Sequence, residues 1–215
     1  MAVAVARTGG ADLLARHGTP VAGGKWAEEA RAAARTRLEA MGAPGRRDEY
    51  WRFTDPSRLV SAEPPPAAKD VFGVLETAGQ VPVPRPLAAL NTAVAAQGVV
   101  IRATGAATRP SNLRYLHVSD TSDAGIRNVV RVDAGASLTI LENGPAAARF
   151  NKAMEIDIAD TGAFHHIRAQ GRDHDRQCVS HMFTRLGQES TYKSFTLTVN
   201  GVLTLNEQLA EFNGD

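Results

Sequence analysis

From Gly98 onward the apolar residues recur at every second position, whereas before it they recur at every third or fourth. No other feature limits the fold as strongly. Side chains alternate between two faces along a strand, but return to one face every 3.6 residues along a helix. The segments "GVVIRATG", "VVRVDAGASLTILE", "MEIDIADTGAFHHIRAQ" and "KSFTLTVNGVLTLNEQ" alternate and are rich in Val, Ile, Leu and Thr, as strands are. Gly135-Ala136 is followed by Gly162-Ala163 after 27 residues, and Gly187 comes 25 residues after that. A strand–turn–strand unit recurring at about 25 residues predicts a solenoid of stacked coils, with a β-sandwich as the alternative. Alternation then places Val130, Val132, Leu138, Ile140, Ile156, Ile158, Phe195, Leu197 and Val199 inside. It leaves Arg131, Glu155 and Asp157 facing solvent.

The part before Gly98 reads as helical. In "KWAEEARAAARTRLEAMG", Trp26, Ala30, Ala33, Ala34, Leu38 and Met41 form one amphipathic stripe that ends at Gly42, a residue suited to a left-handed stop. The stripe is mostly alanine, so this helix is expected to pack closely on a neighbour. "RRDEYWRFTD" (46–55) then gathers three of the chain's twelve aromatics and six charges. Aromatics beside arginines could stack nucleic-acid bases. The acids offset the arginines almost completely, however, and favour an arm whose Trp51 and Phe53 anchor on the rest of the protein. "DPSRLV" has the form of a capped turn, while "SAEPPPAAKD" and "QVPVPRPL" are proline-rich connectors. Between Pro86 and Gly98, Leu87, Leu90 and Val94 share a helical face with Asn91. A buried asparagine needs partners, so Asn91 is expected to tie this helix to a nearby loop.

The chain of 215 residues carries a net charge of +1, which gives no global attraction to nucleic acid or an anionic membrane. A lone cysteine, Cys178, excludes an intramolecular disulfide and favours a reducing compartment. The N-terminus lacks the basic-then-apolar order of a secretory signal, and no run approaches the ~18 residues of a membrane span. A cytoplasmic location is the expectation. "HHIRAQGRDHDRQCVSH" collects His165, His166, His174, Cys178 and His181, that is, four of the six histidines and the only cysteine. Imidazole and thiolate ligands at such spacing could hold zinc, iron or copper, with His165, Cys178 and His181 the candidates. No second Cys pair completes a structural zinc pattern, and His165 and His166 point to opposite faces of a strand. Solvated histidines are therefore the expectation, with no bound metal. Ser180 and His181 near Asp173 and Asp175 lack a nucleophile elbow, and no phosphate-binding glycine loop is present, so no catalytic constellation emerges.

Several stretches taken in order resemble the SufB/SufD family of the Suf iron–sulfur cluster assembly machinery. They are "RRDEYWRFTD", "PLAALNTAVAAQGVVIRA", "VVRVDAGASLTILE", "NKAMEIDIADTGAFHHIRAQ" and "SFTLTVNGVLTLNEQ", and they span most of residues 26 to 210. Glu49, Trp51, Arg52, Phe53 and Thr54 look like the family's arm element, and together with Asn91 they lean towards the SufD branch with a structural role. The resemblance implies a helical region over 1–97 and the first coils of a right-handed parallel β-helix over 98–215. It implies a bacterial, non-enzymatic scaffold that pairs with SufB through the β-helix and with the ATPase SufC through a later region absent from this sequence. A transient iron–sulfur cluster would belong to the full complex, and no cofactor is expected on these residues themselves. An unfinished last coil would also be expected to self-associate through residues near 195 to 210. Two rivals follow from the fold and the composition: a β-helix carbohydrate-active enzyme, and a small metal-binding module using the His/Cys cluster.

Overall fold

The computed structural model describes residues 9–15, 25–45, 48, 73–95, 97–116, 121, 123–144, 147–171 and 175–214. Glu49, Trp51, Arg52, Phe53 and Thr54, and with them the expected anchoring of the aromatic arm, lie outside the described residues, as does His174. Among the described residues four helices come first: α1 (Gly10–Ala15), α2 (Lys25–Met41), α3 (Val74–Ala78) and α4 (Pro86–Val94). Nine strands follow among the described residues: β1 (Val100–Ala103), β2 (Ser111–Arg114), β3 (Asp123–Val132), β4 (Ser137–Asn143), β5 (Arg149–Ile158), β6 (Ala163–Gln170), β7 (Gln177–Leu186), β8 (Thr191–Thr198) and β9 (Leu203–Phe212). None of the described helices is long and apolar enough to cross a membrane.

The strands form a β-solenoid. Odd-numbered strands build one sheet in the order β1-β3-β5-β7-β9, and even-numbered strands build a second in the order β2-β4-β6-β8. Every pairing is parallel, so each coil contributes one strand to each sheet. Pairing of Val100 with Val129, Asp123 with Arg149, Arg149 with Gln177 and Gln177 with Leu203 sets coil lengths of 29, 26, 28 and 26 residues. The recurrence in the sequence is therefore real, but its glycines are not equivalent. Register aligns the four-residue turns 133–136, 159–162 and 187–190, and a left-handed residue stands third in each: Gly135 (φ 69°), Thr161 (φ 59°) and Glu189 (φ 53°). Gly187 stands first in its turn for another reason, since a Cβ there would lie 2.4 Å from Asp160 Oδ1 and 2.7 Å from its backbone nitrogen.

Between the sheets lies an apolar core built from Val130, Val132, Leu138, Ile140, Ile156 and Ile158, all buried as alternation predicts. Arg131 is exposed and Asp157 partly so. Two predictions fail. Phe195, Leu197 and Val199 are 61%, 51% and 44% exposed, because pairing with β6 turns Tyr192, Ser194 and Thr196 of β8 inward instead. Glu155 does point away from the core, yet it is buried, because the helices cover that side of the odd-strand sheet.

The helix layer follows from its composition. α2 ends at Gly42, whose φ of 70° is the expected left-handed stop, and its amide donates to Leu38 O at 2.8 Å. Gly10 of α1 lies against the α2 backbone so closely that a Cβ would sit 2.2 Å from Leu38 O. α4 opens on Pro86, and all nine of its residues are buried between α2 and the odd-strand sheet. Leu87, Leu90 and Val94 pack with Val179 of β7, while Leu75 of α3 and Ala88 pack on Phe183.

Candidate functional site

Strand alternation sends the three candidate ligands to three different places. His165 lies on the outer side of β6, half-buried, and Cys178 points from β7 into the space between the sheets, fully buried. His181, an odd number of residues further along β7, points the other way, beneath the helices, where its Nδ1 lies 2.7 Å from Glu207 Oε2 without hydrogen-bond alignment. Burial acts to raise the Glu207 carboxyl, but His181 and Arg85 outweigh it and hold the carboxyl below its usual range. Among the described residues no group of three His, Cys, Asp or Glu side chains could hold a metal ion.

Asn91 does act as a tie, though to strands and not to a loop. Its amide nitrogen donates to Ile126 O (3.1 Å) on β3 and to Asn151 O (3.0 Å) on β5, while Asn151 returns a bond to Leu87 O (2.9 Å). Beside it Glu155 accepts from the Leu75 amide at 2.5 Å and from the Glu76 amide at 3.2 Å, and it pairs with the buried Arg127. One carboxylate thus joins the start of α3 to the sheet.

A dense polar constellation lies inside the solenoid, next to the apolar core. Three inward columns meet there: Leu113–Glu142–Arg168–Thr196, Ser111–Ile140–His166–Ser194 and Ile126–Lys152–Ser180–Asn206. Glu142 and Lys152, both buried, form an ion pair in which the ammonium reaches both carboxylate oxygens. His166 Nε2 lies 2.7 Å from Glu142 Oε2, and Arg168 Nε lies 3.4 Å from Oε1. Arg168 also donates to Ser180 Oγ, and its Nη2 approaches Cys178 Sγ at 3.7 Å. Arg176, equally buried, gives Nη2 to Asn200 O at 2.7 Å and leaves Nε and Nη1 without a partner among the described residues.

The charges within this cluster set its titration. Burial alone would raise the Glu142 carboxyl, but Lys152, His166 and Arg168 hold it well below the usual carboxylate range. Burial pushes the Lys152 amine down to about 8, against the pull of Glu142. Burial also lowers His166, so a neutral ring carries its proton on Nε2 towards Glu142 and accepts from Ser194 Oγ through Nδ1, 3.2 Å away. The Cys178 thiol is raised by burial despite Arg168, Arg176 and Lys152 nearby, which keeps it protonated and weakly nucleophilic. The arrangement is chemically suited to holding strands in register, since every member spans from one coil or sheet to another. Hydrophobic patterning does not single out Glu142, Lys152 or Arg168, although alternation continued from Ile140 reaches Glu142 and, continued back from Ile156, reaches Lys152.

Residues 117–215 match the family model described as SUF system FeS cluster assembly, SufBD core domain. This match supports the SufB/SufD family. It spans β3 to β9, including Glu142, Lys152, His166, Arg168 and Cys178, and leaves the helix layer and the first coil outside. No curated protein and no solved structure matches the chain.

Proposed function

We propose that this chain serves as a SufD-type, non-catalytic scaffold in iron–sulfur cluster assembly, working with SufB and the ATPase SufC. The observation that carries this reading is the coincidence between the SufBD core-domain match and the stacked coils β3 to β9. The order of N-terminal motifs, from the aromatic arm to Asn91 on α4, adds the lean towards SufD. A scaffold reading also suits the solenoid's interior, where Glu142 is spent on Lys152, His166 and Arg168 and the one thiol is buried and protonated. In this reading SufB pairs with the β-helix, SufC docks on a later region, and any iron–sulfur cluster is cargo of the whole complex. The test is isolation of the tagged chain from its own cells at native expression, with co-purifying proteins identified by mass spectrometry. SufB and SufC in stoichiometric amounts are the expected result. Their absence from the eluate, with the chain folded and abundant, would overturn the proposal.

A further inference from the structure

The two sheets of the solenoid treat their outer faces differently. On the odd-strand sheet the outward apolar residues Val179, Phe183, Leu205 and Leu209 meet α3, α4 and their neighbours. On the even-strand sheet register aligns Leu141, Ile167 and Phe195 in one outward column and Ala169 and Leu197 in the next. Val199 follows Leu197 on the same side. Ile167 is 46% exposed, and with Phe195, Leu197 and Val199 it makes a contiguous apolar surface open to solvent. Patches of this kind mark binding sites more often than chance exposure does.

The charges around the patch indicate its occupant. Arg114 of β2 and Lys193 of β8 are exposed on this face, at opposite flanks of the Leu141–Ile167–Phe195 column, and His165 stands beside Lys193 in register. Among the described outward side chains of β2, β4, β6 and β8 no carboxylate occurs. A second copy laid face to face would oppose cation to cation, so the charge pattern disfavours self-pairing. Geometry favours a helix. Coils stack at about 4.8 Å and an α-helix advances about 5.4 Å per turn, so a helix lying along the solenoid axis can set one apolar residue on each coil. The chain's own α4 shows that a solenoid face of this kind accepts a helix.

We propose that the outer face of the β2-β4-β6-β8 sheet docks an amphipathic helix of a partner protein, whose apolar stripe covers Ile167, Phe195 and Leu197 and whose carboxylates meet Arg114 and Lys193. This surface is separate from the interior cluster and does not depend on the Suf reading. The probe is a labelled helical peptide of about 18 residues, with leucines at i, i+3, i+4 and i+7 flanked by glutamates, titrated with the full chain by fluorescence anisotropy. A second peptide keeps the leucines and carries lysines instead. Saturable binding of the glutamate peptide, at least about tenfold tighter than the lysine peptide, is expected. Phe195→Glu should weaken it about tenfold or more without moving the urea midpoint, since that side chain is exposed, and the Arg114→Glu, Lys193→Glu variant should reverse the preference. No saturable binding, equal affinity for both peptides, or indifference to Phe195→Glu would overturn the proposal. So would binding only to phosphatidylserine vesicles, or a dimer that Phe195→Glu dissolves, either of which reassigns the face.

Discussion

Replacing Glu142 with glutamine keeps the side chain's shape and removes the one carboxylate seen to bridge Lys152, His166 and Arg168. Lys152 and Arg168 are both buried, so the substitution leaves two cations without a counter-charge in a water-poor space. Breaking a buried pair from one side costs about 3–5 kcal/mol, a large part of the 5–15 kcal/mol that typically holds a domain together. Replacing Glu142 and Lys152 together by methionine removes one of the two stranded cations, Arg168 remaining without its carboxylate, so part of that loss should return. Urea midpoints followed by circular dichroism measure both variants, with the slope as a check on the unfolded state. The pH response gives a second reading. The folded Lys152 titrates at about 8 against an ordinary value of 10.5, so above pH 8 the unfolded chain holds a proton that the folded one releases. Stability therefore rises with pH through that window. In Glu142→Gln the carboxylate that favours the ammonium is gone, and the rise should begin at lower pH. A single variant within about 1 kcal/mol of the parent, or a double variant no more stable than the single, would refute the argument.

On the acid side His166 is lowered below its ordinary 6.5, so below that pH the unfolded chain takes up a proton that the folded chain refuses and stability falls. His166→Gln should flatten the slope of urea midpoint against pH between 7 and 5. Asn91→Ala should cost about 1–3 kcal/mol by removing the side-chain bonds to Ile126 O and Asn151 O from a buried site, with faster hydrogen exchange in α4 and its neighbours on β3 and β5. Glu189 sits at φ 53° where glycine is at ease, and Glu189→Gly should stabilise by about 0.5–1 kcal/mol, seen as a melting temperature a few degrees higher. Gly187→Ala should do the reverse, since the new methyl meets the Asp160 and Ala159 backbone at 2.7 and 2.9 Å.

The solenoid was legible because its signal is redundant. Alternation appears in every coil, and Val130, Ile140, Ile156 and their neighbours lie where period two puts them. The helices were legible at both ends: Gly42 stops α2 and Pro86 starts α4. The burial of Glu155 was not, because it depends on the Leu75 and Glu76 amides, 80 and 79 residues away in sequence. The turn phase was hidden too. Glycine marks the left-handed position in one turn, while Thr161 and Glu189 occupy it in the next two. The separation of His165, Cys178 and His181 could have been read in part, since residues three apart on one strand cannot share a face.

The inverted face of β8 and the neglected interior charges have one physical cause. Hydrophobicity alone would turn Phe195 and Leu197 inward. In a parallel solenoid, however, the inward column of each coil is shared with the coil before, and here that column carries His166, Arg168 and Gln170. A phenylalanine or leucine set against those groups would leave buried donors and acceptors unpaired, at about 1–3 kcal/mol each. With Ser194, Thr196 and Thr198 inward, Ser194 Oγ reaches His166 Nδ1 at 3.2 Å and Thr198 Oγ1 reaches the Gln170 side-chain amide at 2.7 Å. A slip of one residue would undo both contacts and turn every side chain of the strand over. The interior ion cluster thus specifies the phase of β8, and the apolar surface on the outside of the sheet is the consequence.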